Sequence, residues 1–393
     1  MKPRSWLFFN YEFPPVGGGG GTCSMYLAKE LARAGHRVVV LTAAFGELPR
    51  REERDGYLVR RIPALRAMAG QCRPYEMASY AASAFFSALF RGRRPDYLAS
   101  FHSIPSGMPA WPLSVLWGRP HFVLFQGGDV PGWLPGELEK MHARTLWLNR
   151  LIVHQSALAL ANSDGLRDLA QPSFPKKRIG VLYGGADPDV YAPPESPREG
   201  RTGPCRFLFV GRLTTQKGLD TLLRALAAAR REDPGLEWSL DVAGDGPRRG
   251  EFEEIARRES LTDRVVFHGF VDRSQGRLLY DAADVFAFPS RYEGMPNVVL
   301  EAMACGLPVI GTRIAGTEQL VEPGVNGELL AVDDTGALAG ACLRLARDRA
   351  LRTKMGGASR ALVLEKWTWA ARAAELARLA EAEGRAHRQG AER

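Results

Sequence analysis

At 393 residues the chain exceeds what one ordinary hydrophobic core organises, so a single small domain is excluded and two domains are expected. With 45% apolar and 24% charged residues it has the balance of a folded globular protein, not of a disordered one. The net charge of +8 is one-sided: residues 1–178 hold 23 Lys and Arg against 13 Asp and Glu, a surplus of ten, whereas the remainder, with 29 against 31, is slightly acidic.

Short apolar runs alternate with helix-period segments from end to end, the pattern of parallel sheets with crossover helices, and the fold class is α/β. Residues 6–9 form the first expected strand; the run is too short, and too soon followed by Asn10, Glu12 and Pro14, to be a secretory leader. Pro14 and Pro15 lead into the glycine run 17–21, and a helix is expected over 24–34, ended by Gly35. Glycines here, Gly20 and Gly21 among them, let backbone approach a ligand closely. A dinucleotide loop is the competing reading, but the next strand ends in Leu41, Thr42 and Ala43 without the acidic ribose reader of that fingerprint. Strands over 58–62, 97–101, 122–125, 158–162 and 179–183 follow. Between them, the apolar segment 80–90 carries Phe85, Phe86, Leu89 and Phe90 and ends in Arg91, Arg93 and Arg94. It is too short to span a bilayer. It reads either as a crossover helix whose stripe faces its own sheet or as a peripheral contact with anionic headgroups. The basic half fits such an anionic partner; nucleic acid is not expected, because the basic residues are not interleaved with stacking aromatics.

Periodicity lapses around Pro188, Pro193, Pro194, Pro197, Gly200, Gly203 and Pro204, which assigns 189–204 as a linker between an N-terminal domain, 1–188, and a C-terminal domain, 205–364. In the latter, strands are expected over 207–210, 239–243, 265–267, 285–288 and 309–312, with helices over 219–231 and 297–304. The tail 365–393 is helical in pattern and is expected to cross back to the N-terminal domain. Five scattered cysteines, none paired as C-x-x-C, suggest a reduced cytoplasmic protein without a structural metal.

Three strand ends in the second half carry chemistry. Gly211 and Arg212 open GRLTTQKG, and Lys217 closes it just before a helix; a guanidinium plus an ammonium there would stabilise a diphosphate leaving group without a metal. Gly244 and Asp245 follow the next strand. In EGMPNVVLE, Glu293 and Glu301 bracket a helix start, and Gly294, Met295, Pro296, Asn297 and Val298 offer backbone N–H groups to an anion, with Pro296 suited to a first turn. Glu301 is placed to accept hydrogen bonds from a diol such as ribose, and Glu293 to reach a sugar.

Taken in order, the glycine-rich loop, GGADPDVY, GRLTTQKG, GDGP, HGFV, EGMPNVVLE and GLPVIGT make the chain resemble the family 4 retaining glycosyltransferases (group 1 type), over nearly its whole length. The resemblance implies the GT-B fold, two Rossmann-like domains facing a central cleft that close during turnover. It implies that Arg212 and Lys217 bind the donor diphosphate, that Glu293 and the amides from Gly294 to Asn297 hold the donor sugar, and that Glu301 binds ribose. Backbone near Phe270 and Val271 would contact the base, and Gly20 or Gly21 would sit near the donor phosphates and the acceptor. Asp187 and Asp189 mimic a metal-binding D-x-D, but lie in the family's linker-side turn, so no metal or other cofactor is expected. Where many relatives place a histidine, this sequence has Gln126, followed by Gly127, Gly128 and Asp129; either Gln126 and Asp129 share its role toward the transferred sugar or that role is dispensable. His102 is an acceptor-side candidate. The implied activity is metal-independent, retaining hexosyl transfer from a nucleoside-diphosphate sugar to a glycan, lipid-linked or small-molecule acceptor. A nucleotide-sugar epimerase, a phosphorylase and a catalytically silent nucleotide-sugar-binding protein are the alternatives.

Overall fold

The computed structural model describes residues 2–68, 72–133, 139–195 and 203–391. The chain divides into two compact units, 1–184 together with 369–393, and 185–368. The boundaries thus lie at 184/185 and 368/369 where 188/189 and 364/365 were expected. Of the expected linker, 189–195 and 203–204 fall in the second unit, and Pro197 and Gly200 lie outside the described residues.

The first unit is built on β1 (Ser5–Phe9), β2 (Arg37–Ala43), β3 (Arg51–Arg54), β4 (Tyr57–Ile62), β5 (Tyr97–Phe101), β6 (His121–Phe125), β7 (Leu158–Ala161) and β8 (Ile179–Val181), in the sheet order β3-β4-β2-β1-β5-β6-β7-β8. All neighbours are parallel except β3, which pairs antiparallel with β4 at the sheet edge. The central strands β5 and β6 are buried at every position because helices cover both faces, and their two polar residues, Ser100 and His121, hydrogen-bond to each other at 2.9 Å. The helix Gly19–Arg33 lies on one side, with Leu27, Ala28 and Leu31 in a core that also takes Trp6, Phe8 and Phe122. The same core takes Trp369, Ala373, Leu376 and Ala380 of the last helix, Trp369–Ala391, whose Trp369 ring stacks on Tyr26 at 5.2 Å. The helices Pro74–Leu89 and Gly107–Trp117 bury Tyr80, Ala84 and Leu113 on the opposite face.

The helix after β1 starts at Gly19, not near Ser24, so the last three glycines of the run form its first turn. Asn10 holds that turn, its Nδ2 donating to Gly20 O (3.0 Å) and Ser24 Oγ (2.8 Å). The side-chain-free turn fits because a Cβ on Gly21 would come within 3.2 Å of Glu12 O.

The second unit has β9 (Cys205–Val210), β10 (Trp238–Ala243), β11 (Val265–Gly269), β12 (Val285–Phe288), β13 (Val309–Thr312) and β14 (Gly327–Leu330), all parallel, in the order β11-β10-β9-β12-β13-β14. Its core joins Phe207, Phe209, Leu240 and Val285 to Leu222, Leu223 and Leu226 of the helix Leu219–Glu232. In each unit the strand order reverses once, between β1 and β5 and between β9 and β12. Ligands of open α/β sheets bind at such switch points, outside the carboxyl ends of the strands.

Candidate active site

In the second unit the switch point brings together Lys217, from the loop after β9, and Glu293, from the loop after β12. Lys217 Nζ lies 2.5 Å from Glu293 Oε1, and Ser290 Oγ donates to the same oxygen at 2.7 Å. The Phe288 ring backs the ammonium at 5.2 Å. The loop that presents Lys217 can turn only because Gly218 is left-handed (φ +66°) and lacks a side chain: a Cβ there would meet Pro289 O at 2.0 Å. A second ion pair braces the same loops. Arg291 holds both oxygens of Asp220 (3.0 and 2.9 Å), reaches Asp333 at 2.7 Å and donates to Thr215 O. Arg212, by contrast, is exposed, and its guanidinium has no ion-pair partner among the described residues. Its neighbours are interlocked backbone: Gly244 (φ +135°) carries its Cα hydrogens where a Cβ would sit 1.9 Å from Gly211 O, and Leu213 N donates to Asp245 O at 3.0 Å.

The helix Asn297–Ala304 begins as expected, except that Pro296 is its N-cap and not its first turn. The amides of Asn297 and Val298 therefore head the helix without intrahelical acceptors. Gly316 backs this segment, with room for no Cβ, since one would lie 2.4 Å from Gly294 O. One turn in, Glu301 Oε2 accepts from Tyr280 Oη at 3.1 Å; Tyr191 packs edge-on against Tyr280 at 5.7 Å, and the Arg273 guanidinium lies over Tyr191 at 5.7 Å. Burial pushes the Glu301 carboxyl up from 4.5 to about 7, although Tyr280, Arg273 and Tyr191 pull the other way. The helix Arg273–Ala282 that supplies Arg273 and Tyr280 is started by Asp272, whose carboxylate caps Ser274 N and Gln275 N. Phe270 and Val271 immediately precede that cap, with Phe270 81% exposed.

In the first unit the ends of β1, β5 and β6 bring Gly20, His102 and Gln126 together: a Cβ on Gly20 would stand 2.9 Å from His102 Cε1 and 3.1 Å from Gln126 Cγ. His102 is held at φ +78°, a conformation rare for a side-chain-bearing residue and typical of functional loops. Its Nδ1 lies 2.7 Å from Phe101 O; a carbonyl can only accept, so Nδ1 carries a proton, and in the neutral ring the lone pair is on Nε2. Asp129 is buried and committed elsewhere, accepting from Ser103 N (2.8 Å), Ser103 Oγ (3.3 Å), Gln126 N (3.1 Å) and Gly127 N (3.3 Å). It ties the His102 loop to the Gln126 loop, so it is a positioning residue and not a group free to meet a sugar. Asp187, also buried, accepts from Asp189 N at 3.2 Å within its own turn. Among the described residues no three His, Cys, Asp or Glu side chains gather as a metal site.

Sequence reasoning missed Ser290, Arg291, Asp220, Asp333, Tyr191, Tyr280, Gly218 and Gly316. Arg291 and Ser290 stand directly before Tyr292 and Glu293, so their proximity was visible; their partners, 71 and 42 residues away for Arg291, were not.

Residues 18–185 match the family described as Glycosyl transferase 4-like domain, and residues 204–348 that described as Glycosyl transferases group 1. The chain belongs to the family 4, group 1 glycosyltransferases. It is 29% identical over 407 residues to the glycogen synthase of Mycobacterium tuberculosis, covering 98% of this chain and 96% of that one. In fold it is similar to the sucrose-phosphate synthase of Thermosynechococcus elongatus (TM-score 0.80, 23% identity, 96% and 98% of the two chains). It is also similar to Anabaena HepE in complex with UDP-glucose (TM-score 0.72, 20% identity, 96% and 100% covered). As a glycosyltransferase of GT-B fold, the chain has its two Rossmann-like units, and no helix among its described residues is long and apolar enough to cross a membrane.

Proposed function

We propose that this glycosyltransferase moves a hexosyl group, with retention at the anomeric carbon and without a metal, from a nucleoside-diphosphate sugar to a hydroxyl of a glycan, lipid-linked or small-molecule acceptor. The observation that carries the reading is the Lys217–Glu293 pair beside the exposed Arg212 at a sheet switch point. Glu293 keeps Lys217 in place. On donor binding the ammonium turns to the diphosphate, joined by Arg212 and by the amides of Asn297 and Val298, while Glu293 and the loop Gly294–Pro296 take sugar hydroxyls. Glu301 receives the ribose diol, and backbone at Phe270, Val271, Gly244 and Asp245 borders the nucleotide. As the bond between the anomeric carbon and the β-phosphate oxygen breaks, the acceptor oxygen bonds to the same face. Its proton passes to the departing diphosphate, whose charge the two cations stabilise. Gly20, Gln126 and the Nε2 lone pair of His102 form the acceptor-side surface, with Asp129 fixing both loops.

The support for a peripheral membrane contact is narrower than the sequence suggested. In the helix Pro74–Leu89, Phe85 and Leu89 pack on the core, while Phe86 and Phe90, 55% and 79% exposed, stack on each other beside exposed Arg93 and Arg94. Arg91 is half-buried, and burial with Arg60 and Arg37 nearby lowers it to about 10.

The test is a panel of UDP-, GDP- and ADP-sugars screened by thermal stabilisation. A ligand at about 100 times its Kd adds roughly 2.7 kcal/mol. NMR of the product anomer with the stabilising donor follows. An inverted anomer overturns retention; turnover without acceptor points to an epimerase, dependence on free phosphate to a phosphorylase, and binding without turnover to a silent protein.

A further inference from the structure

Away from the strand ends just described, at the amino-terminal ends of β12 and β13, a cavity of about 280 Å³ opens between the helix Arg349–Lys366 and the segments preceding those two strands. One face of the helix lines it with Arg349, Arg352, Thr353, Gly356, Gly357 and Arg360; Pro193, Pro194 and Pro308 provide apolar wall, and Asp284 is the one carboxylate in the lining. Arg352 donates to Leu345 O (2.5 Å) and Ala346 O (2.9 Å), and Arg360 to Tyr191 O (2.8 Å), Ala304 O (2.9 Å) and Pro188 O (3.3 Å). All of these acceptors are neutral carbonyls, and neither arginine has an ion-pair partner among the described residues. Asp284 is partly occupied in accepting from Arg206 N at 2.9 Å. Burial lowers Arg360 from its ordinary value, against the opposing pull of Cys305 and Asp189.

Guanidinium groups around a small, partly apolar cavity suit a phosphate, which they bind through charge-assisted, often bidentate hydrogen bonds. The volume lies just below the range of drug-sized ligand pockets, which limits the rest of the ligand to something like one sugar ring against the proline faces. We propose that this cavity binds the phosphomonoester of a monosaccharide, at a site separate from Arg212 and Lys217.

Gly357 supplies the discriminating variant. A Cβ there meets no atom within 4 Å, so Gly357→Glu fits, raises helix propensity and brings a carboxylate to the arginines. Calorimetric titration of the full chain with glucose 1-phosphate, inorganic phosphate and glucose is the experiment. Glucose 1-phosphate should bind more tightly than inorganic phosphate, and glucose should not bind. Gly357→Glu should weaken the sugar phosphate by about tenfold or more, the scale of one charge-assisted hydrogen bond, without lowering the melting temperature. Arg349→Gln should weaken it too, and Lys217→Ala should leave it unchanged. Absence of binding, equal affinity in Gly357→Glu, equal affinity for inorganic phosphate, or loss in Lys217→Ala would each overturn the assignment.

Discussion

Glu301 is predicted to affect stability and donor binding in opposite directions as pH changes. Its folded carboxyl titrates near 7 against an ordinary 4.5. Below about pH 4.5 both the folded and unfolded chains carry the proton and nothing is lost. Between 4.5 and 7 the unfolded chain ionises while the buried group stays neutral, so stability falls as pH rises; above 7 the loss is complete. The gap of about 2.5 units corresponds to at most about 3 kcal/mol at 1.36 kcal/mol per unit. Glu301→Gln keeps an acceptor for Tyr280 and removes the ionisation. Opening free energies from hydrogen exchange of the helix Asn297–Ala304, corrected for intrinsic rates, read the effect locally at pH 5 and pH 8. The wild type should lose up to about 3 kcal/mol more than Glu301→Gln between the two values. Comparing pH-differences cancels the altered hydrogen bonding of the amide. A ribose diol donates best to an ionised carboxylate, so donor dissociation constants in the wild type should rise below pH 7, approaching tenfold per unit, and stay flat in the variant. Identical pH responses of the two proteins would refute the burial argument, and a flat donor affinity in the wild type the ribose role.

Lys217→Ala and Arg212→Ala should each lower kcat by about 100-fold or more, the effect of losing one preorganised electrostatic donor; unchanged turnover in both would remove the diphosphate from this site. Transfer should persist in EDTA, and a loss restored by Mn²⁺ or Mg²⁺ would show that carboxylates such as Asp187 and Asp189 had been misjudged. Gly218→Ala, left-handed and 2.0 Å from Pro289 O, should cost several kcal/mol or displace Lys217, whereas Gly211→Ala, with nothing nearer than 3.6 Å, should be tolerated; equal melting temperatures would contradict the packing. Co-sedimentation with anionic vesicles at low salt should weaken in Phe86→Ser/Phe90→Ser and be screened by added salt; equal binding to neutral vesicles, or none, would eliminate the membrane contact.

What could be read from the sequence was whatever local periodicity encodes. Buried parallel strands read as near-continuous apolar runs, and 207–210 or 285–288 announce themselves that way. The edge strand β3 does not: its residues are Arg51, Glu52, Glu53 and Arg54, and it is a strand only because β4 offers it hydrogen bonds. The short strand β14 and the glycine turn at Gly19–Gly21 escaped for related reasons. Glycine reads as a breaker until a specific contact, here Asn10 on Gly20 O, fixes its conformation. Helix and strand identity is a property of segments; these exceptions are properties of pairs.

The candidate site is made of such pairs. Arg212, Lys217 and Glu293 were legible because they follow the ends of apolar strands, and Glu301 because it stands one helical turn past a helix start that Glu293 precedes. That Lys217 and Glu293 form a pair across 76 residues was not, nor was the brace that aims them. Without Arg291 between Asp220 and Asp333, the ammonium and the carboxylate would keep their charge and lose their geometry, and stabilisation of a developing charge depends on groups that need not reorganise. The same logic separates Asp129 from Gln126. Both occupy one loop, yet one carboxylate accepting four hydrogen bonds is already at its lowest-energy use. The neighbouring amide and the Nε2 of His102 keep capacity for a ligand, and they do so because Asp129 holds them.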